Sequence, residues 1–137
     1  MDIMIKELRT ISNETGNLTF YQLNEDIDFP ITRQYYIYGV NKGEKRGFHA
    51  HKHLKQLLFC PYGSITILLF DGYEWKEVVL DKPNIALILY PCLWREMVWN
   101  IDNSVLCVSA SEMYDEDDYI RDFDQFIKYM AEKRNNG

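Results

Sequence analysis

The chain has 137 residues, a length that suits one domain with its own core and leaves little room for a second. Hydrophobic residues at 47% and charged residues at 26% exclude a mainly disordered chain, and 15% aromatic residues favour a β-rich fold. The formal charge of −6, from 15 Lys and Arg against 21 Asp and Glu, excludes general nucleic-acid binding, which needs a basic surface.

Short apolar runs alternate with turn signals over the first 112 residues, at the spacing typical of β-sandwiches and barrels. The clearest signal is Asp71-Gly72 between two β-rich runs, which predicts a hairpin because glycine accepts the positive φ of a tight turn. Residues 85–90 are nearly all apolar, so we expect both faces of that strand to be covered. The predicted strands include residues 18–23, 32–40, 56–60, 64–70, 73–80, 85–90, 94–99 and 105–110.

The hydrophobic period changes at residue 115. Apolar residues at 119, 120, 123, 126, 127 and 130 trace one helical stripe. Asp115 suits the N-cap, and Asp117 stands four residues before Arg121, the spacing of a helical ion pair. We therefore predict a C-terminal α-helix over residues 115–134. The whole chain, residues 1–137, is predicted to be a single all-β domain with its barrel in residues 1–112.

Cysteine usage and the N-terminus predict a cytoplasmic protein. Cys60, Cys92 and Cys107 are odd in number, far apart and set in apolar surroundings, as expected of buried free thiols in a reducing compartment. Residues 1–7 lack the basic start and apolar run of a secretory signal. No stretch approaches the ~20 apolar residues that cross a bilayer, so we expect no membrane partner.

All three histidines fall within five residues, at 49, 51 and 53, where a strand would point them to one face. Three ligands on one strand, with Cα atoms ~6.5–7 Å apart, would chelate a metal poorly, and no distant histidine completes a site. Without a metal, imidazoles with a pKa of ~6.5 suit proton transfer near neutral pH. A proton on carbon is acidic enough only beside a carbonyl, so the chemistry points to isomerising or epimerising a keto compound.

The histidines lie in a recognisable pattern. Gly43, His49, His51, Gln56 and Gly63 follow the spacing of the first cupin motif, with Gln56 in place of the usual glutamate. This substitution removes a carboxylate that metal-binding cupins use as a ligand.

Three longer sequence motifs make the resemblance more specific than the cupin spacing alone. They are Arg-Gly-Phe-His-Ala-His-Lys at 46–52, Trp-Arg-Glu-Met at 94–97 and Tyr-Asp-Glu-Asp-Asp-Tyr-Ile-Arg at 114–121. Together the motifs resemble the sugar-nucleotide 3,4-ketoisomerases, small cupins that act on dTDP-4-keto-6-deoxyglucose, over about residues 18–126. The resemblance implies a cupin jelly-roll barrel, a homodimer that exchanges N-terminal strands, no metal or other cofactor, and transfer of the keto group from C4 to C3.

Site roles follow from this resemblance. His51, or else His49, is expected to remove the C3 proton and give an enediol, and the same imidazole could return a proton at C4. The other imidazole, with Tyr36 or Tyr38, would polarise the oxygens. Arginine and lysine side chains would hold the diphosphate, and an aromatic ring could stack on thymine. The substrate-binding candidates are Arg33, Arg46, Lys52, Gln56, Trp94, Arg95 and Arg121.

The chain departs from some members of the family at two positions. Thr15 and Arg95 stand where those members have arginine and histidine. Because arginine cannot give up a proton at neutral pH, the face on which C4 is protonated can differ. We favour dTDP-3-keto-6-deoxyglucose as product, with dTDP-3-keto-6-deoxygalactose as the alternative. Either would serve synthesis of 3-amino-3,6-dideoxy sugars for O-antigen, lipopolysaccharide or S-layer glycans.

Two other functions fit the same barrel. A sugar-nucleotide epimerase would exchange a proton beside the carbonyl without moving the carbonyl. A non-catalytic cupin would bind the nucleotide sugar without turnover.

Overall fold

A computed structural model describes residues 1–136 of the protein as twelve β-strands, one 3-10 turn and one α-helix. The strands are β1 Ile3–Glu7, β2 Arg9–Asn13, β3 Gly16–Phe20, β4 Arg33–Ile37, β5 Lys45–His51, β6 Gln56–Tyr62, β7 Ile65–Phe70, β8 Trp75–Leu80, β9 Ile85–Leu89, β10 Trp94–Trp99, β11 Val105–Ala110 and β12 Tyr119–Ile120. The 3-10 turn is Glu116–Asp118, and the helix α1 is Phe123–Asn136.

Ten of these strands form two antiparallel sheets. The first sheet has the order β1-β9-β6-β11-β4, and the second has the order β12-β5-β10-β7-β8. Within residues 1–136, β2 and β3 pair only with each other, as a separate hairpin that lies in the sequence between β1 and β4, the two edge strands of the first sheet. The predicted all-β jelly-roll with one C-terminal helix is confirmed.

The core lies between the sheets, where alternate residues of both point inward. Leu87 and Val108 of the first sheet pack with Ile67 and Trp99 of the second, and all four are buried. Trp99 is also satisfied as a donor, because its indole nitrogen lies 2.7 Å from the carbonyl oxygen of Ser104. The barrel interior around these residues is therefore filled by apolar side chains.

The stretch predicted to be covered on both faces is β9. Its inward residue Leu87 is in the core, and its outward neighbour Ile88 is covered by Ile27 and Phe29 of the segment before β4. The predicted hairpin at Asp71-Gly72 is also present, joining β7 to β8 with Gly72 at φ +98°. Both features confirm the sequence-based expectation.

The predicted helix over residues 115–134 begins eight residues late, at Phe123. Asp115 is a cap, but of the 3-10 turn, where its carboxylate accepts from the Asp117 N–H at 3.0 Å. Residues 119–120 then form β12, with Tyr119 opposite His51 of β5. An open strand edge satisfies the backbone groups of this segment, and that pairing replaces the first helical turns.

The expected helical pair of Asp117 and Arg121 is consequently absent from the structure, since the chain between them is extended; Arg121 binds Glu116 instead. The helix α1 packs Phe126 against Phe70 and Trp94 on the outer face of the second sheet. None of the helices in residues 1–136 has the length and apolar character needed to span a bilayer.

Candidate active site

A cavity of about 400 Å³ opens between β4 of the first sheet and β5 of the second. Five strands and the segment after β12 contribute to its wall. The lining residues are Arg33, Gln34, Tyr35, Ile37, Arg46, Gly47, His49, Met97, Leu106, Tyr119 and Arg121. Titratable and cationic side chains thus line the same cavity as the apolar side chains of Ile37, Met97 and Leu106.

His49 is the histidine that lines this cavity. Two successive residues in the left-handed region precede it, Gly47 at φ +92° and Phe48 at φ +58°, where the pairing of β5 with β10 shifts register. Irregularities of this kind redirect the following side chain. Burial and the positive charge of Arg95 lower the pKa of His49 to about 4, so the ring is neutral at pH 7 and can accept a proton.

His51 lies behind His49 and is 0% exposed. The two ring centroids are 4.9 Å apart with planes at 85°, and the Nδ1 atom of His51 is 2.9 Å from a carboxylate oxygen of Asp118. Burial, together with the charge of Arg95, lowers the pKa of His51 and keeps the ring neutral. His53 is exposed beyond the end of β5, so the three histidines do not share one face; only its backbone N–H reaches the site, by donating to Asp118.

Two residues next to each other in the C-terminal segment complete the histidine pair. Asp118 is buried in the 3-10 turn, and the ring of Tyr119 lies 4.4 Å from that of His51 and 5.2 Å from that of His49. Sequence reasoning assigned neither a role, because both fall in a stretch that we interpreted as the start of a helix. The signal was present in the tail motif at 114–121, which matches the family string.

A chain of hydrogen bonds runs from the second sheet to the first. Arg95 is fully buried, and its Nη1 atom donates to the side-chain oxygen of Gln56. The side-chain nitrogen of Gln56 donates to the hydroxyl oxygen of Tyr35 at 3.1 Å. Burial lowers the pKa of Arg95 to about 10, which leaves it cationic at pH 7, and burial raises the pKa of Tyr35. Arg95 and Gln56, which we had expected to bind substrate, therefore do not line the cavity. They lie behind its wall and contact it through Tyr35.

Three arginines surround the cavity, namely Arg33, Arg46 and Arg121. The Arg33 guanidinium lies 5.4 Å from the ring centre of Tyr35, and its Nε atom is buried with no partner within residues 1–136. Arg121 binds both carboxylate oxygens of Glu116, at 2.6 and 2.9 Å. This positive cluster on an acidic protein is suited to an anionic ligand.

Several predicted site residues lie elsewhere. Tyr36 and Tyr38 are 64% and 69% exposed, and their rings face each other at 5.7 Å on the outside of the first sheet. Strand alternation explains Tyr36, because its inward neighbours on β4 are Arg33, Tyr35 and Ile37. Tyr35 takes the place in the cavity that we had expected for Tyr36 or Tyr38.

Trp94 and Lys52 are also directed away from the cavity. Trp94 is buried under α1, 5.2 Å from Phe123, and its indole nitrogen donates to Glu96. It alternates with the inward Arg95, so it cannot stack on a base in the cavity. The Lys52 ammonium lies 5.9 Å from the ring centre of Tyr129 on the helix. Within residues 1–136, no three His, Cys, Asp or Glu side chains are arranged to hold a metal ion.

Comparison with known proteins gives one family. Residues 1–131 match the family model FdtA, described as WxcM-like, C-terminal. The chain is 41% identical over 131 residues to TDP-4-oxo-6-deoxy-alpha-D-glucose-3,4-oxoisomerase of Aneurinibacillus thermoaerophilus, a match that covers 96% of this chain and 94% of that protein.

Solved structures agree with this result. A 3,4-ketoisomerase from Helicobacter canadensis superimposes with a TM-score of 0.93 at 38% identity, covering 96% of this chain and 98% of that one. A second match is the 3,4-ketoisomerase QdtA from Thermoanaerobacterium thermosaccharolyticum, solved as a histidine-to-asparagine variant in complex with TDP-4-keto-6-deoxyglucose. It superimposes with a TM-score of 0.92 at 39% identity, and the match covers 96% of each chain.

Proposed function

The chain belongs to the FdtA family, and we propose that it shares the activity of its 3,4-ketoisomerase relatives and moves the keto group of TDP-4-keto-6-deoxyglucose from C4 to C3. We also propose that the whole chain is a single cupin domain. The observation that carries the proposal is the neutral imidazole of His49 in the wall of a cavity ringed by Arg33, Arg46 and Arg121. A sugar ring fits the cavity, and the diphosphate that follows it needs cations at the rim.

His49 is the base in this proposal. Its ring lines the cavity, whereas His51 is 0% exposed and cannot reach a substrate without movement of its neighbours. The C4 carbonyl acidifies the C3 proton, His49 removes it, and the C4 oxygen takes up a proton to give the enediol. C4 then accepts a proton while the C3 hydroxyl loses one. One proton leaves and one joins carbon, and one is exchanged at each oxygen, so no cofactor is needed for balance.

In this proposal Tyr35 hydrogen-bonds the substrate oxygens from the side of the cavity opposite the base. It comes from the first sheet and His49 from the second, and both line the cavity. A sugar held between them has an imidazole on one face and a phenol on the other. Gln56 already donates to the Tyr35 oxygen, which leaves the phenol hydrogen free for the ligand.

This opposition supports the gluco product. In a gluco hexose the hydrogens on C3 and C4 lie on opposite faces of the ring, so TDP-3-keto-6-deoxyglucose requires protonation of C4 on the face away from the base. A return of the proton by His49 alone would give the galacto epimer. Arg95 does not line the cavity, whereas Tyr35 does, which leaves Tyr35 as the donor on the other side.

Incubation of the protein with TDP-4-keto-6-deoxyglucose tests the activity, with NMR used to locate the carbonyl and the configuration at C4. We expect a 3-keto product from the wild type and a loss of about 10²–10⁴-fold in rate for His49→Asn. His53→Asn is the matched control, because that ring is exposed outside the cavity. Binding of the nucleotide sugar without any movement of the carbonyl would contradict the proposal.

We also propose that the protein is a homodimer in which the N-terminal strands take part. The β2–β3 hairpin carries Ile11 and Leu18 at 59% and 58% exposure and pairs with no other strand in residues 1–136. A second copy would cover this surface. Sedimentation of the wild type should give twice the chain mass, and Ile11→Lys with Leu18→Lys should shift the protein toward the monomer.

The cellular setting that we propose is the cytoplasm, in synthesis of 3-amino-3,6-dideoxy sugars for O-antigen, lipopolysaccharide or S-layer glycans. The cysteines Cys60, Cys92 and Cys107 are all free thiols, consistent with a reducing compartment. A 3-keto sugar nucleotide is the substrate that a C3 aminotransferase would consume. A coupled reaction that ends in a 3-amino sugar would support this placement.

A further inference from the structure

His51 and Asp118 form a buried pair whose hydrogen-bonding capacity is almost completely fixed. One carboxylate oxygen of Asp118 lies 2.9 Å from the Nδ1 atom of His51, and the other accepts the backbone N–H of His53 at 2.7 Å. The backbone oxygen of Asp118 accepts from the N–H of Lys52 at 2.9 Å. The turn is therefore held to the end of β5 by three bonds.

These bonds determine where the His51 proton lies. An ionised carboxylate only accepts hydrogen bonds, so a neutral His51 that binds it carries its hydrogen on Nδ1. The Nε2 atom of His51 is then a bare acceptor. It is buried and has no partner within residues 1–136, an unusual state for a polar atom and one for which a catalytic role is among the known explanations.

The ring of His51 contacts the ring of His49, and Tyr119 touches both. We infer that His51 and Asp118 are a positioning pair for His49: they hold its ring in place and supply the negative charge that stabilises the imidazolium formed when the C3 proton is removed. This inference rests on the proposed function of His49 as the base.

The surroundings of His49 create the need for such a charge. Arg95 from β10 and Arg121 after β12 oppose an imidazolium there, and the one exposed carboxylate nearby, Glu116, is already bound by Arg121. Asp118 is the buried anion that remains. The charged and titratable groups around His49 are Arg33, Tyr35, Arg46, His51, Arg95, Glu116, Asp118, Tyr119 and Arg121.

Asp118→Asn separates this role from a purely structural one. The asparagine has the same shape, but it has one acceptor oxygen and one donor nitrogen. The backbone N–H of His53 can only donate, so it retains the oxygen, and the amide nitrogen faces His51. The His51 hydrogen must then move from Nδ1 to Nε2. Asp117→Asn is the matched control, since that neighbour in the same turn is exposed and touches neither histidine ring.

The chain's three histidines make the tautomer directly observable. In ¹⁵N-histidine-labelled protein, we expect three imidazole signal sets, of which the one lost in His51→Gln shows the Nδ1–H tautomer from pH 6 to 8. In Asp118→Asn this set should change to the Nε2–H tautomer. An Nε2–H tautomer for His51 in the wild type would overturn the inference without any Asp118 variant, which matters if Asp118→Asn folds poorly.

Turnover of TDP-4-keto-6-deoxyglucose gives the second readout. We expect Asp118→Asn to lower kcat by about 10²-fold, the lower end of a general-base contribution, with KM within about twofold of the wild type because Asp118 does not line the cavity. Unchanged kcat in Asp118→Asn, or a rise in KM alone, would overturn the pair's role. An inactive wild type would instead contradict the proposed function, so the two failures are distinct.

Discussion

Arg95 fixes the direction of the hydrogen bond that Tyr35 receives, although the two residues belong to different sheets. A guanidinium can only donate, so the side-chain oxygen of Gln56 must face Arg95 and its nitrogen must face Tyr35. The phenol oxygen is then the acceptor, and the phenol hydrogen points elsewhere. The amide in place of the usual cupin glutamate thus determines that Tyr35 is a donor toward the cavity.

Tyr35→Phe should therefore lower kcat by about 10²-fold, within the range for loss of one positioned acid. Steady-state kinetics checks this result, with Tyr36→Phe as the control on the exposed face of the same strand. Gln56→Glu keeps the phenol but offers it an acceptor, so it should also lower kcat. Wild-type turnover in both Tyr35→Phe and Gln56→Glu would contradict the direction assigned to the hydrogen bonds that run from Arg95 through Gln56 to Tyr35.

Arg33 should bind the diphosphate rather than take part in the chemistry. Hydrogen bonds to charged groups contribute about 1.5–3 kcal/mol, which corresponds to roughly a 10- to 100-fold rise in KM for Arg33→Ala with kcat little changed. The same variant should weaken inhibition by TDP. Lys128→Ala on the exposed side of α1 is the control. A fall in kcat at unchanged KM would place Arg33 in proton transfer instead.

Acid should destabilise the protein before its carboxylates titrate. The pKa of His49 is lowered from 6.5 to about 4, so as the pH falls through this window the unfolded state gains a proton that the folded state does not bind. Linkage gives a loss of roughly 2 kcal/mol in the free energy of unfolding between pH 7 and pH 5 from His49, and the lowered pKa of His51 acts in the same direction.

Urea unfolding at pH 7 and pH 5 measures this loss. His49→Gln should show a smaller difference in the free energy of unfolding between the two pH values than the wild type. His53→Gln should retain the wild-type difference, because its ring is exposed. Equal pH dependence in the wild type and His49→Gln would show that the ring of His49 titrates normally in the folded protein.

Gly63, the last glycine of the cupin motif, is required by packing. It lies at φ +96°, and a Cβ there would come within 2.6 Å of the Cβ of Ser104. Ser104 in turn accepts the N–H of Ser64 at 3.0 Å, so the two segments are tied together. Gly63→Ala should cost about 2–4 kcal/mol in the free energy of unfolding, from strain and overpacking combined.

Gly39→Ala is the comparison for Gly63→Ala, because Gly39 also has a positive φ, of +70°, but nothing lies within 4 Å of the added Cβ. It should cost only the backbone strain, about 1 kcal/mol. Thermal or urea unfolding of the two variants separates the effects. Equal losses would show that the contact with Ser104 relaxes freely.

The strand pattern and the cupin motif were sufficient to predict the two-sheet barrel, its hairpin at Asp71-Gly72 and the histidine pair. They did not determine which faces point inward. Tyr35 and Tyr36 are identical residues in adjacent positions, and an aromatic side chain suits either a cavity wall or a surface exposed on one sheet. Trp94 and Arg95 could have been separated by alternation alone, since two successive strand residues cannot both face a cavity.

The C-terminal segment was harder to predict because two physical preferences compete there. The acidic run and the apolar spacing from residue 115 favour a helix locally, whereas the edge of β5 offers backbone hydrogen bonds that become apparent only in three dimensions. The same competition hid Asp118, whose partner His51 is 67 positions away in the chain. A pattern read over one window contains no information about such a distant partner.

The strand β12 separates the barrel from the residues that complete its histidine pair. Apart from this two-residue strand, both five-stranded sheets are formed by residues before 111, whereas Asp118, Tyr119 and Arg121 follow in the C-terminal segment. The segment is joined to the histidine strand by the pairing of Tyr119 with His51 and of Ile120 with Ala50. A substitution that weakens this short pairing should therefore remove the acidic and aromatic partners of the histidines while leaving most of the two sheets in place.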